Sequence, residues 1–166
     1  MIKNLVIACL LLFFTASCSD ATLDASDTIS INGTIYKKGS SKVFTGKVIS
    51  KHKNGQIIRK SNYKDGKEQG QSIFYLPNGN KDFIANFDNG VEHGVSTFWR
   101  KNGHKKIEIS YQYGALNGPK TWFFSNGKKM KRYHYKNNQL DGQSTWWDKS
   151  GKIWAEKNFK NNKEIN

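Results

Sequence analysis

The sequence predicts an all-β fold, an open single-layer antiparallel array of tandem β-hairpins, and three observations carry that prediction. Glycine recurs at Gly46, Gly70, Gly94, Gly118 and Gly142, a spacing of 24 residues at every step (70−46, 94−70, 118−94, 142−118). Nine residues after each stands a second glycine, as Asn54-Gly55, Asn78-Gly79, Asn102-Gly103, Asn126-Gly127 and Ser150-Gly151. The runs between these glycines are rich in Tyr, Phe and Trp. A fixed period of this size marks units that cannot bury their own apolar face and stack on neighbours instead. Function is therefore expected on a repeated surface rather than in one pocket.

Residues 1–17 place Lys3 before an apolar run from Leu5 to Phe14, then Thr15, Ala16 and Ser17 before Cys18. That pattern predicts a secretory signal peptide, because the run is shorter than the about 20 apolar residues a membrane-spanning helix needs. The Thr-Ala-Ser-Cys ending resembles the bacterial lipobox, which implies a lipidated Cys18 and a membrane-anchored protein of the bacterial cell envelope, facing the periplasm or the exterior. Cys9 falls inside the removed segment, so no thiol pair is expected in the mature chain. Disulfides, thiol catalysis and Cys-ligated metals are thereby excluded. Residues 18–27 are small, polar and acidic and read as a lipidated flexible tether. Residues 28–45, with Asn32-Gly33, read as an N-terminal capping hairpin, and residues 46–166 as five 24-residue hairpin repeats of about ten to twelve strands in all.

Lys and Arg number 27 against 13 Asp and Glu, a net charge of +14 that becomes +13 once Lys3 is removed. Such a balance suits an acidic protein partner, an anionic lipid or glycolipid surface, or nucleic acid, the last being disfavoured.

With each anchor glycine as position 0, the repeat becomes readable as chemistry. Asn-Gly at positions 8 and 9 predicts a two-residue type I′ turn, which needs positive φ at both residues. Position 20, held by Gly66, Gly90, Gly114, Asn138 and Asn162, is expected to be left-handed in the turn leading to the next hairpin. Two-residue turns pair positions that sum to 17, and strict alternation then assigns the faces. One face gathers Phe74 with Phe83, Phe98 with Ile107, Trp122 with Lys131 and Trp146 with Ala155. It also carries the column Tyr63, Phe87, Tyr111, Tyr135 and Phe159, whose rings are expected to cover the anchor glycines. This is the structural face, and Ser50 and Arg59 read there as degraded positions of the first unit.

The opposite face carries Tyr75, Trp99, Phe123 and Trp147 at position 5, with Met130 and Trp154 beside them and Lys106 and Arg132 among the cations. Large aromatics mixed with cations and threonines make it the candidate binding face, exposed in the free protein. Lys81, Lys105 and Lys129, with Lys128 and Lys152, are expected to form a separate basic rim along one edge. His52, His93, His104 and His134 occupy different positions (6, 23, 10 and 16), and the acids scatter likewise. Catalytic residues, metal ligands and cofactors are therefore not expected.

The unit G-x-x-T-W/F-W/F-x-x-N-G-K-K, followed by an aromatic and N/D-G, resembles the membrane occupation and recognition nexus (MORN) repeats. It is most similar to the 24-residue variant of YwqK-type antitoxin proteins. The likeness covers Gly46 to Asn166 and, in weaker form, Tyr36 to Thr45. It implies a protein- or phospholipid-binding scaffold and, for the variant family, an immunity partner of a secreted toxin or effector.

Overall fold

Two kinds of turn build the array, and they alternate. The computed structural model describes residues 21–166. At positions 19 and 20 both residues have positive φ, as in Asp65 (48°) with Gly66 (75°), Asn89 (50°) with Gly90 (79°) and Asn137 (47°) with Asn138 (67°). These are the two-residue type I′ turns. At the Asn-Gly pairs of positions 8 and 9 only the glycine is left-handed, for example Gly79 at 82° and Gly103 at 82°. The Leu76 N–H donates to the Asn80 carbonyl and the Gly79 N–H to the Leu76 carbonyl, both at 2.8 Å. That pattern is a type I turn closed by a glycine bulge, not the type I′ turn expected from the sequence.

This turn has one extra residue, and the register records it. Strand β4 (Gly46–Lys51) pairs with β5 (Ile57–Lys64), β6 (Lys67–Tyr75) with β7 (Lys81–Asp88), and β9 (Gly94–Trp99) with β10 (Lys105–Gln112). β11 (Ala115–Phe123) pairs with β12 (Lys129–Lys136), and β14 (Gly142–Trp147) with β15 (Ile153–Lys160). Phe74↔Phe83, Phe98↔Ile107, Trp122↔Lys131 and Trp146↔Ala155 follow the sum of 17. Beyond a bulge the partners become Tyr75↔Lys81, Trp99↔Lys105, Phe123↔Lys129 and Trp147↔Ile153, a sum of 16. Position 12 is skipped, which changes the face of everything near that turn.

Together with short strands at Val91–Glu92, Gln139–Leu140 and Lys163–Ile165, these hairpins form one mostly antiparallel sheet of fourteen strands. The excess over ten to twelve comes from those short segments and from Thr22–Asp24. That last segment, β1, pairs in parallel with β4, and Asp24 meets Lys51 at 3.3 Å. The flexible tether expected over residues 18–27 is thus ordered from Thr22, because its backbone completes the edge of the sheet. The signal segment and Cys18 lie outside the described residues. β2 (Thr28–Ile31) and β3 (Thr34–Lys37) make a separate two-stranded hairpin. It docks on the first repeat through Ile35 N–H to the Gly66 carbonyl (2.9 Å) and Phe44 N–H to the Ile35 carbonyl (2.9 Å).

Successive units are tied at both ends. The N–H groups of Gly90, Gly114, Asn138 and Asn162 donate to the carbonyls of Glu68, Glu92, Leu116 and Leu140 at 2.8–3.0 Å, stacking each type I′ turn on the one before. At the opposite ends, Asn102 and Asn126 donate their side-chain amides to the carbonyls of Ser125 and Lys149, 3.4 and 3.1 Å away. These two asparagines thus link neighbouring turns, and in all four Asn-Gly pairs of position 8 the asparagine Oδ1 accepts from the N–H two residues on at 3.0–3.2 Å, which accounts for its recurrence without a type I′ turn.

The structural face is where the core lies. Ser72, Ser96 and Ser144 at position 2, with Ala85, are exposed by 2% or less. These small residues form a trough between two columns of large side chains, so the columns close over it. Phe74, Phe83 and Phe98 stack with centroids 4.1 and 5.0 Å apart, and Trp122, Tyr133 and Trp146 continue the row edge to face at 5.2 and 5.5 Å. The anchor glycines stand opposite the position-17 rings, as Gly70↔Phe87, Gly94↔Tyr111, Gly118↔Tyr135 and Gly142↔Phe159. A Cβ added at Gly94, Gly118 or Gly142 would meet the side chains of Asn86, Ser110 and His134 on the other face, at 3.6, 3.1 and 3.3 Å. Nor is Arg59 a degraded position: it forms an ion pair with Glu68 and lies 4.6 Å over the Phe74 ring.

Candidate ligand-binding face

The register shift reassigns the side chains singled out in the sequence. Lys81, Lys105 and Lys129 lie opposite Tyr75, Trp99 and Phe123, so they project on the aromatic face rather than forming a separate rim. Trp154 leaves that face, its ring centroid lying 6.4 Å from that of Trp146 on the packed side. Lys106 and Met130 occupy the same skipped position and have no cross-strand partner within their hairpins. Lys128 donates to the Ser150 carbonyl at 2.6 Å and so serves a turn, while Lys152 stays exposed at the next one.

Cations and rings interleave on the aromatic face. Lys60 Nζ lies 5.7 Å from the Tyr75 ring centroid. Lys129 Nζ and the Arg132 guanidinium lie 5.7 and 5.6 Å from that of Trp147. Each contact adds about 0.5–1 kcal/mol at an exposed site and fixes the ring against its neighbours. Thr121 and Thr145 are buried beneath these groups, and the Thr145 hydroxyl meets the Glu156 carboxylate at 3.4 Å. Tyr75, Trp99 and Trp147 are half-buried, but Phe123 is only 8% exposed. The expectation of an exposed column therefore fails at Phe123. This face presents Tyr75 of β6 beside Lys60 and Trp147 of β14 beside Lys129 and Arg132, with Trp99 of β9 between them.

Several roles on this face had no clear sequence signal. The amides of Asn62 and Asn86 donate to the Gln71 and Val95 carbonyls at 3.1 and 2.5 Å, and His134 Nδ1 meets the Gln143 carbonyl at 2.6 Å. Position 16 thus bridges the first hairpin to the second, the second to the third and the fourth to the fifth, where the anchor glycine breaks the ladder, and His134 is a structural member of that series. Arg100 likewise donates to the Phe123 carbonyl at 2.8 Å. The signal was the recurrence of short polar residues at position 16, visible only once the face was assigned.

Two titrations follow from the packed side. Burial, with the Glu68 charge beside it, pushes the Tyr63 hydroxyl up to about 12. Burial also raises the Glu92 carboxyl above its ordinary range. Among the described residues, no group of three or more His, Cys, Asp or Glu converges as a metal site would require.

Comparison with known proteins agrees with the repeat. Residues 44–65, 116–137 and 140–161 each match the MORN repeat variant. The three matches share one phase, their starts separated by 72 and 24 residues (116−44 and 140−116), and they fall on the first, fourth and fifth units. Repeats of this kind are generally protein- or lipid-binding modules. No curated protein matches the chain.

Proposed function

We propose that this chain is a non-enzymatic, lipid-anchored repeat module that holds an acidic protein partner against its aromatic face, in the manner of an immunity or antitoxin-like protein bound to a toxin or effector. One observation carries the reading: Lys60, Lys129 and Arg132 sit directly over Tyr75 and Trp147, so anion attraction and aromatic burial act on the same few side chains. Buried aromatic and arginine anchors dominate interface energetics, and complementary charge sets the partner and the rate of encounter. The net charge of +14 favours an acidic partner. The alternative is an envelope scaffold holding anionic lipid or glycolipid through its lysines; the placing of cations beside large rings supports the protein partner.

Capture of partners from the native envelope tests the proposal, with Trp99→Ala/Trp147→Ala and Lys129→Gln/Arg132→Gln beside the unchanged chain. Both variants are expected to fold and to lose the partner, each truncated anchor costing about 2 to 4 kcal/mol. Because charge and ring act together, affinity should also fall as salt rises. Capture by both folded variants at wild-type level would refute the reading, and retention on vesicles of anionic lipid with no protein partner would favour the scaffold. The anchor is tested by labelling with a palmitate analogue, which is expected to disappear in Cys18→Ser.

A further inference from the structure

The packed face contains its own worked example of a carboxylate site, and a second copy of that site in which the carboxylate is missing. In the first unit Arg59, at position 13, pairs with Glu68, which stands directly opposite Tyr63. The Glu68 carboxylate also accepts from the Tyr63 hydroxyl at 3.1 Å and the Ser72 hydroxyl at 3.3 Å. One cation and two hydroxyls thus satisfy one half-buried carboxylate.

In the fourth unit the equivalent residues are Lys131, Tyr135 and, at the start of the next unit, Ser144. The place of Glu68, opposite Tyr135, is taken by Leu140. The donor set is retained and the acceptor is gone. Ser144 is wholly buried and, like Ser61 and Ser96, has a hydroxyl with no hydrogen-bond partner. Lys131, instead of reaching forward as Arg59 does, turns back over Trp122 at 4.5 Å and Tyr133 at 5.1 Å. A second ammonium joins it: Lys120 stands at position 2, where the second, third and fifth units have serine, and lies 5.2 Å from the same Trp122 ring. The residue opposite Tyr111 that would face this region from the third unit is again a leucine, Leu116. Among the described residues, neither lysine forms an ion pair with a carboxylate. Two like charges over one ring on the core side of the sheet break the pattern that every neighbouring unit keeps, and such local violations gather at functional sites.

We propose that Lys120 and Lys131, with Trp122 as floor, receive a carboxylate from an acidic segment of the bound partner, which supplies in trans the counter-charge that Glu68 supplies to Arg59 within the first unit. A carboxylate is the occupant because the fold already pairs the position-13 cation with one in the first unit, and two ammoniums unpaired among the described residues stand here. The apolar Trp146 and the 68% exposed Trp154 extend the floor beyond the two ammoniums, which suits the chain flanking an acidic side chain. This site takes from the preceding proposal only that the partner is an acidic protein, and it lies on the opposite face of the sheet.

The probe is a fluorescein-labelled hexaglutamate peptide titrated into the purified protein, with hexaglutamine as the uncharged control. Lys131→Gln and Lys120→Gln are each expected to weaken binding about tenfold, the loss of one charge-assisted contact. Leu140→Glu should rebuild the first unit's arrangement, occupy Lys131 from within and weaken hexaglutamate to a similar degree while the protein stays folded. Lys37→Gln/Lys38→Gln, exposed on the N-terminal hairpin segment, should leave hexaglutamate within about twofold of wild type at the same salt. Undiminished binding by Lys131→Gln and Lys120→Gln, no binding by the unchanged protein, or equal displacement by inorganic pyrophosphate and by free glutamate peptide would each overturn the assignment. Loss of native partner by Lys129→Gln/Arg132→Gln alone bears on the aromatic face, so the two proposals fail by different variants.

Discussion

At the scale of single residues, the chain's polar groups are decided by which carboxylate or carbonyl each one finds. Tyr63 shows the effect most clearly: it is held neutral by burial and by the adjacent Glu68 charge, with its titration pushed up to about 12. An acid whose folded value is raised contributes stability that is fully present below its unfolded value, near 10 for tyrosine, and lost as pH rises toward the folded value. The domain is therefore expected to weaken between about pH 10 and 12, and Tyr63→Phe should flatten that part of the pH profile. Thermal melts of both proteins across this range check it, and an identical alkaline decline in the two would place the sensitive group elsewhere. Arg59 belongs to the same network and was misjudged from the sequence. At a position otherwise held by Phe, Ile, Lys or Ala, an arginine reads as damage until its partner nine residues on, Glu68, is seen to lie beside it.

At the scale of the hairpin, the 24-residue period, the strand pairs and the left-handed residues at position 20 were all legible, because glycine and asparagine spacing reports backbone need directly. The turn type was not. Asn-Gly suits a type I′ turn by local preference, yet here Asn102 takes negative φ and uses its side chain: its carboxamide oxygen accepts from the His104 N–H at 3.2 Å while its amide nitrogen reaches the next turn. The bulge this creates moved Lys81, Lys105 and Lys129 onto the aromatic face and sent Trp154 to the other. One residue of register was enough to turn two candidate surfaces into one, as the two-residue period of a strand requires. Gly103 still limits its turn by conformation alone, since an added Cβ would meet nothing within 4 Å while φ is 82°. Gly103→Val is expected to destabilise the third hairpin by about 1–3 kcal/mol through that backbone strain, and Gly103→Asn by much less. Denaturant midpoints separate the two, and equal tolerance of valine and asparagine would mean the turn can take another form.

Over the whole molecule, each unit touches only its neighbours, so stability is a sum of hairpins and seams rather than of one central core. The two ends of the array differ. The first repeat is covered by the parallel strand β1 and by the β2–β3 hairpin, and Gly46 and Phe44 are buried there. A Cβ at Gly46 would overlap the Ala21 carbonyl oxygen, so this close fit depends on glycine. At the other end Ile153 and Trp154 are 47% and 68% exposed, and every residue of Lys163–Ile165 is exposed. The fifth unit thus has fewer covered amides and less buried apolar surface than the first four, which places it at the low-stability end of local opening. Hydrogen exchange under native conditions is expected to show slow amides from β4 through β12 and fast ones in β15 and the segment after it. Binding of an acidic peptide at Trp122 and Trp146 should slow exchange chiefly in β14 and β15, because these strands form the far wall of that site. Uniform protection from Gly46 to Lys160 would show that the array opens as one unit, and the expected coupling between ligand and the fifth repeat would then be lost.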